Sequence, residues 1–89
     1  MTTPEEADLI GKHIDLPPGG SAADACLTGS SVSVWAPIGY FQVVGDDVAR
    51  VAADYDLPPE AVGAAIAYYR EHQRAIDARI EAHDAAFAA

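Results

Sequence analysis

Residues 47–69 read DVARVAADYDLPPEAVGAAIAYY, and the spacing within this stretch decides the fold. Val48, Val51, Ala52 and Tyr55 recur at intervals of three and four, the period of one helix face. Asp46 or Asp47 stands just before them as an N-cap. A further helix starts at Pro59, with Pro58 just before it and Glu60 placed to complement the positive end of the dipole. Leu57 and Val62 are spaced as a hydrophobic staple across that start. Between the two helices Asp56 occupies a turn position where glycine is common, and aspartate tolerates a left-handed backbone better than most residues. Small Ala52 suits a tight helix crossing. The spacing is that of a helix-turn-helix.

Upstream of this stretch, Trp35 opens another helical period. Pro37 suits a first turn, and either Ile38, Phe41 and Val44 or Tyr40 and Val43 are spaced for burial. Gly45 suits a left-handed stop. Before that, Ala25-Cys26-Leu27 and Val32-Ser33-Val34 read as two short strands around Thr28-Gly29-Ser30-Ser31. Strands this short need helices or another chain to pack on. Pro17-Pro18-Gly19-Gly20-Ser21 is a loop. Lys12 to Leu16 alternates polar and apolar as a short strand does. Thr3-Pro4-Glu5-Glu6 has the cap, proline and glutamate of a helix start, and Gly11 is expected to end that helix after about two turns.

Downstream, no breaker appears from Ala64 onward. The helix that starts at Pro59 is expected to run to about residue 84 as one rod of roughly 40 Å. Val62, Ile66, Tyr69, Ile76 and Ile80 fall on one stripe of it. The preceding helices can cover the first half of that stripe. The second half, Ile76, Ile80 and Phe87, has no cover left in the chain, and an uncovered apolar stripe marks an interface.

The chain has 89 residues, fourteen acidic and five basic, for a net charge of −9. That length holds one small domain, which buries only about 60–65% of its unfolded surface, so a partner or a second copy would help it. A field of this sign repels phosphate and attracts basic protein surfaces. The exposed early residues of the second helix in the helix-turn-helix would be Pro58, Pro59, Glu60, Gly63, Ala64 and Ala67. None is a donor that forks onto a base edge. Arg70 and Arg74, four apart further along, are the candidate phosphate contacts, in competition with surface pairing to Glu71 and Asp77.

No catalytic constellation is evident, so the expectation is a binding protein without enzymatic activity, cofactor or metal. His13, His72 and His83 are widely separated, and Cys26 is a lone cysteine that cannot form an internal disulfide. No leader-like segment or membrane-spanning run is seen, and a cytoplasmic location follows as an expectation.

Leu27 to Trp35, Gly45-Asp46-Asp47-Val48, Ala53-Asp54-Tyr55-Asp56-Leu57, Glu60-Ala61-Val62 and Ala64 to Tyr69 together resemble the bacterial domain-of-unknown-function family numbered 433. The resemblance covers roughly residues 25–83. It implies a mainly α fold: a short N-terminal β element, then a three-helix, homeodomain-like helix-turn-helix bundle with a long C-terminal helix, often paired as a homodimer through the β segment. The boundaries expected here are an N-terminal arm over 1–24 and the hairpin with its helices over 25–89. The resemblance further implies an antitoxin of a type II toxin–antitoxin pair, whose partner is a ribonuclease toxin of the PIN type. On that reading Tyr69, Ile76, Ile80 and Phe87 contact the toxin. A DNA-binding regulator and a homodimeric adaptor without a toxin are the alternatives. The family turn usually reads Arg-Gly-Thr-Arg, and both arginines are absent from Thr28-Gly29-Ser30-Ser31.

Overall fold

The computed structural model describes residues 3–29 and 32–88, the side chains only as far as Ala86. The described chain is mainly helical, with one short antiparallel sheet. The elements are α1 (Pro4–His13), β1 (Ile14–Asp15), a 3-10 turn (Ala22–Asp24), β2 (Cys26–Leu27), α2 (Trp35–Val43), α3 (Val48–Asp54), α4 (Pro59–Glu71) and α5 (Gln73–Ala88).

The helix starts follow their local chemistry. Thr3 closes a capping box with Glu6 around Pro4. Asp47, rather than Asp46, caps α3 by accepting from the Arg50 backbone N–H at 3.1 Å. Gly45 and Asp46 before it, and Asp56 between α3 and α4, all have left-handed φ, at +70°, +66° and +54°. Pro59 occupies the first turn of α4.

Around β2 the chain builds a small ladder. Ile14 pairs with Leu27 and Asp15 with Cys26, and Cys26 also bridges Ser33 on the other side. The Leu27 N–H donates to the Val32 carbonyl at 2.8 Å and the Val34 N–H to the Ala25 carbonyl at 3.0 Å. Of the two strands expected here, Ala25-Cys26-Leu27 forms β2 over Cys26–Leu27, whereas Val32-Ser33-Val34 lies beside it through a single bridge and is not a strand; β1 adds along the opposite edge. Ser30 and Ser31, expected in the connecting turn, lie outside the described residues.

Ala25, Leu27, Val34, Ile38, Ala61, Ala65, Tyr68 and Ile76 form the main core. Val51, Ala52 and Val62 form a second cluster, and Leu57 and Ile66 pack against both. α1 runs antiparallel along α4: Glu6 meets Arg70 at 3.5 Å near one end, and His13 lies 3.8 Å from Glu60 near the other. Ile10 and Ile14 pack against the main core, so the segment expected as an N-terminal arm shares it.

The uninterrupted rod expected from Pro59 to about residue 84 does not form. The helix breaks at His72, whose φ and ψ of −128° and 36° leave the helical region. Neither proline nor glycine stands there. What the break achieves is burial: it turns Ile76 back into the main core, where it has no exposed surface. Removing an isoleucine side chain from water is worth about 1.5–3 kcal/mol, against about 0.5–1.5 kcal/mol for a helical hydrogen bond lost at the break. The Tyr69 hydroxyl then donates across the break to Asp77 at 2.7 Å.

Beyond the break α5 lies antiparallel on α2. Ile80 sits over Gly39, and Trp35, at the start of α2, stacks on His83, near the end of α5. The 3-10 turn fastens to the last two helices through two contacts. The Tyr68 hydroxyl donates to the Ala22 carbonyl at 2.7 Å, and the Arg79 guanidinium donates to Asp24 at 2.9 Å. The molecule measures 40 × 32 × 26 Å, and the last described turns of α5, residues 81–86, are exposed.

Candidate functional site

The stripe expected to face a toxin is interrupted among the described residues, because Ile76 is not at the surface. Ile76 is fully buried in the core, which corrects its expected exposure. Tyr69 is half-buried; its hydroxyl donates to Asp77 and accepts from the Gln42 amide at 3.4 Å. Burial pushes the Tyr69 phenol above its ordinary pKa, and the hydrogen bond and charge of Asp77 add to the rise. Ile80 is half-buried and reaches the surface along α2. The side chain of Phe87 lies outside the described residues.

The face expected to enter a DNA groove is not free either. Pro58, Pro59 and Glu60 are exposed, but Ala64 and Ala67 are 0% and 3% exposed. They fall by helical spacing between Glu60 and Arg70, the two residues that α1 straddles. The small residues that leave this face blank for base reading are thus the ones that let α1 approach closely. Arg70 is exposed and pairs with Glu6, and Arg74 is exposed.

The three histidines stay apart, against Glu60, Tyr68 and Trp35 respectively. No group of three metal-ligating side chains comes together among the described residues. Cys26 is half-buried beside the Asp24 carbonyl. No helix among the described residues is long and apolar enough to cross a membrane.

The structure instead presents a groove of about 600 Å³ between α2 and α5. Gly39 lines it beneath Ile80, where a methyl group would stand 4.0 Å from the Ile80 side chain, at ordinary contact. One end is Trp35, tilted 48° against His83 with ring centres 4.7 Å apart. The other is Tyr40, edge-on to Tyr55 at 5.8 Å, both lining the groove. The Tyr40 hydroxyl donates to Asp54, which also pairs with Arg50 at 3.7 Å. Burial raises the Tyr55 phenol above its ordinary pKa. Val43 forms part of the lip and is 80% exposed, the largest exposure of any large apolar side chain described. Asp84 contributes a carboxylate to the wall, and no lysine or arginine lines the groove.

Of these residues only Ile80 was singled out from the sequence as part of a site. A signal for the rest existed: α2 is apolar on both of its candidate faces, Ile38/Phe41/Val44 and Tyr40/Val43. A helix apolar all round either is fully buried or leaves apolar surface for something else. Here Ile38 is buried, Phe41 and Val44 pack on the second cluster, and Val43 is left facing water.

No protein-family model, no curated protein and no solved structure matches this chain.

Proposed function

We propose that this chain is an antitoxin-like binding protein that neutralises a ribonuclease, of the PIN type by resemblance, through direct contact in the cytoplasm. The observation that carries this reading is an open, aromatic-walled groove without a basic residue in a chain of net charge −9. A ribonuclease gathers basic side chains around its RNA path. An acidic partner is steered onto such a path by charge and held there by apolar burial. Pairing of two copies through the β element would present two such surfaces to a toxin assembly.

The test is inhibition of the ribonuclease encoded beside this chain, with both proteins purified. Stoichiometric loss of RNA cleavage, stronger at low salt, is expected. Full cleavage at micromolar excess of the chain would remove the reading.

A helix-turn-helix regulator is the second reading. The left-handed turn at Asp56 between α3 and α4 favours it. The seat of α1 on α4 and the net charge oppose it. A gel shift at low salt on the upstream DNA, with Arg70→Ala and Arg74→Ala as controls, separates the two.

A further inference from the structure

The protein-binding reading leaves open where a partner docks and what it presents, and the α2–α5 groove answers both. We propose that this groove receives an amphipathic, basic segment of a protein partner. An apolar side chain enters between Val43 and Ile80, and basic residues flanking it meet the Tyr40 ring on one side and the Asp84 carboxylate on the other. The proposal rests on the binding reading above and specifies its surface.

Three features point to this occupant. The first is shape and polarity. Val43 is 80% exposed at the lip, Ile80 lies over Gly39 within, and the volume of about 600 Å³ takes several side chains, as helix-in-groove recognition requires. The second is rigidity. Trp35 is held against His83 and Tyr40 against Tyr55 and Asp54, so the walls lose little freedom when a partner arrives. The third is charge. Ring faces attract cations, Asp84 stands in the wall with no lysine or arginine lining the groove beside it, and Asp54 at the Tyr40 hydroxyl is already matched by Arg50. A second copy of a chain carrying −9 would bring like charge to this surface, whereas a basic segment brings the complement.

Trp35 is the sole tryptophan of the chain, so its emission reports from the groove itself. The probes are three synthetic peptides of about four helical turns: a leucine/lysine amphipathic helix, a leucine/glutamate helix of the same pattern, and a serine/lysine peptide of the same positive charge. Saturable change of Trp35 emission is expected with the leucine/lysine peptide, about tenfold or more tighter than with either other peptide. Val43→Lys, at an exposed position, should weaken that binding about tenfold without moving the melting temperature.

Equal binding of the serine/lysine peptide would overturn the proposal in favour of charge alone. Equal binding of the leucine/glutamate peptide would overturn it in favour of apolar contact alone. A concentration-dependent dimer that Val43→Lys dissociates would make a second copy the occupant and overturn it as well. The functional reading fails separately: ribonuclease left uninhibited by the unaltered chain removes that reading and leaves the peptide result standing. Ribonuclease inhibited as well by Val43→Lys as by the unaltered chain keeps the reading and removes the groove.

Discussion

Ile76 has no accessible surface, and its neighbours in the core are contributed by β2, α2 and α4. Ile76→Ala should therefore cost about 2–5 kcal/mol, the range for a buried aliphatic truncation that leaves a cavity. In an 89-residue domain this is a large share of the total stability, and chemical denaturation would show it as a sharply lowered midpoint. Val43→Ala, 80% exposed, should stay within about 0.5 kcal/mol of the parent in the same measurement. An acidic residue placed at position 76 would consequently report on folding and could not test docking. Asp24 calls for a different perturbation. Its carboxyl is held below the ordinary value of 3.8, first by the Ser21 backbone N–H and then by the Arg79 guanidinium. A carboxyl with a depressed folded pKa adds stability that is complete above the unfolded value and is lost as pH falls through the folded one. The tether between the 3-10 turn and α5 should therefore hold at neutral pH and release only below about pH 3.8. Asp24→Asn should flatten that part of the acid unfolding curve, measured by circular dichroism.

Among the elements, α3 and α4 were legible because their boundaries are chemical: an aspartate cap, a proline first turn, and an aspartate at a left-handed position each act within a few residues. The break at His72 was not legible, because nothing in Glu71-His72-Gln73 disfavours a helix. The cause lies in where Ile76 ends up, and in the Tyr69–Asp77 bond that spans the break. The seat of α1 was hidden for a related reason. No residue of α1 is itself buried, so its sequence gives little sign of the face it covers, and the cover shows instead as burial of Ala64 and Ala67. The candidate groove was half visible, through an α2 more apolar than one face can use. Two predictions belong at this scale. Tyr69→Phe should cost about 1 kcal/mol and speed hydrogen exchange in α5 more than in α3, because it removes the donor that ties α5 to α4. Gly63→Ala should stabilise by about 0.5–1 kcal/mol: the position lies mid-helix in α4, and a methyl group there meets no atom within 4 Å.

For the molecule as a whole, the decisive quantity is fourteen acidic residues against five basic ones. Ion pairs such as Arg79–Asp24, Arg70–Glu6 and Arg50–Asp54 engage three of the five basic residues. Most of the carboxylates remain, with too few cations to match them, so the folded chain repels itself. Salt screens that repulsion over a distance of about 10 Å at 0.1 M, comparable with the spacing of charges on a molecule this small. The melting temperature should accordingly rise between about 10 mM and about 150 mM sodium chloride. Exposed ion pairs are weakened by the same salt, but each contributes only about 0–1 kcal/mol, so the repulsion dominates. The field that destabilises the lone chain is the one proposed to draw in a basic partner. Salt should then act with opposite signs, stabilising the free protein while loosening its complex. Thermal melts and peptide titrations across one salt series measure both slopes. A melting temperature that falls with salt would mean the ion pairs outweigh the repulsion, and would take with it the premise that this surface carries uncompensated negative charge for a partner to neutralise.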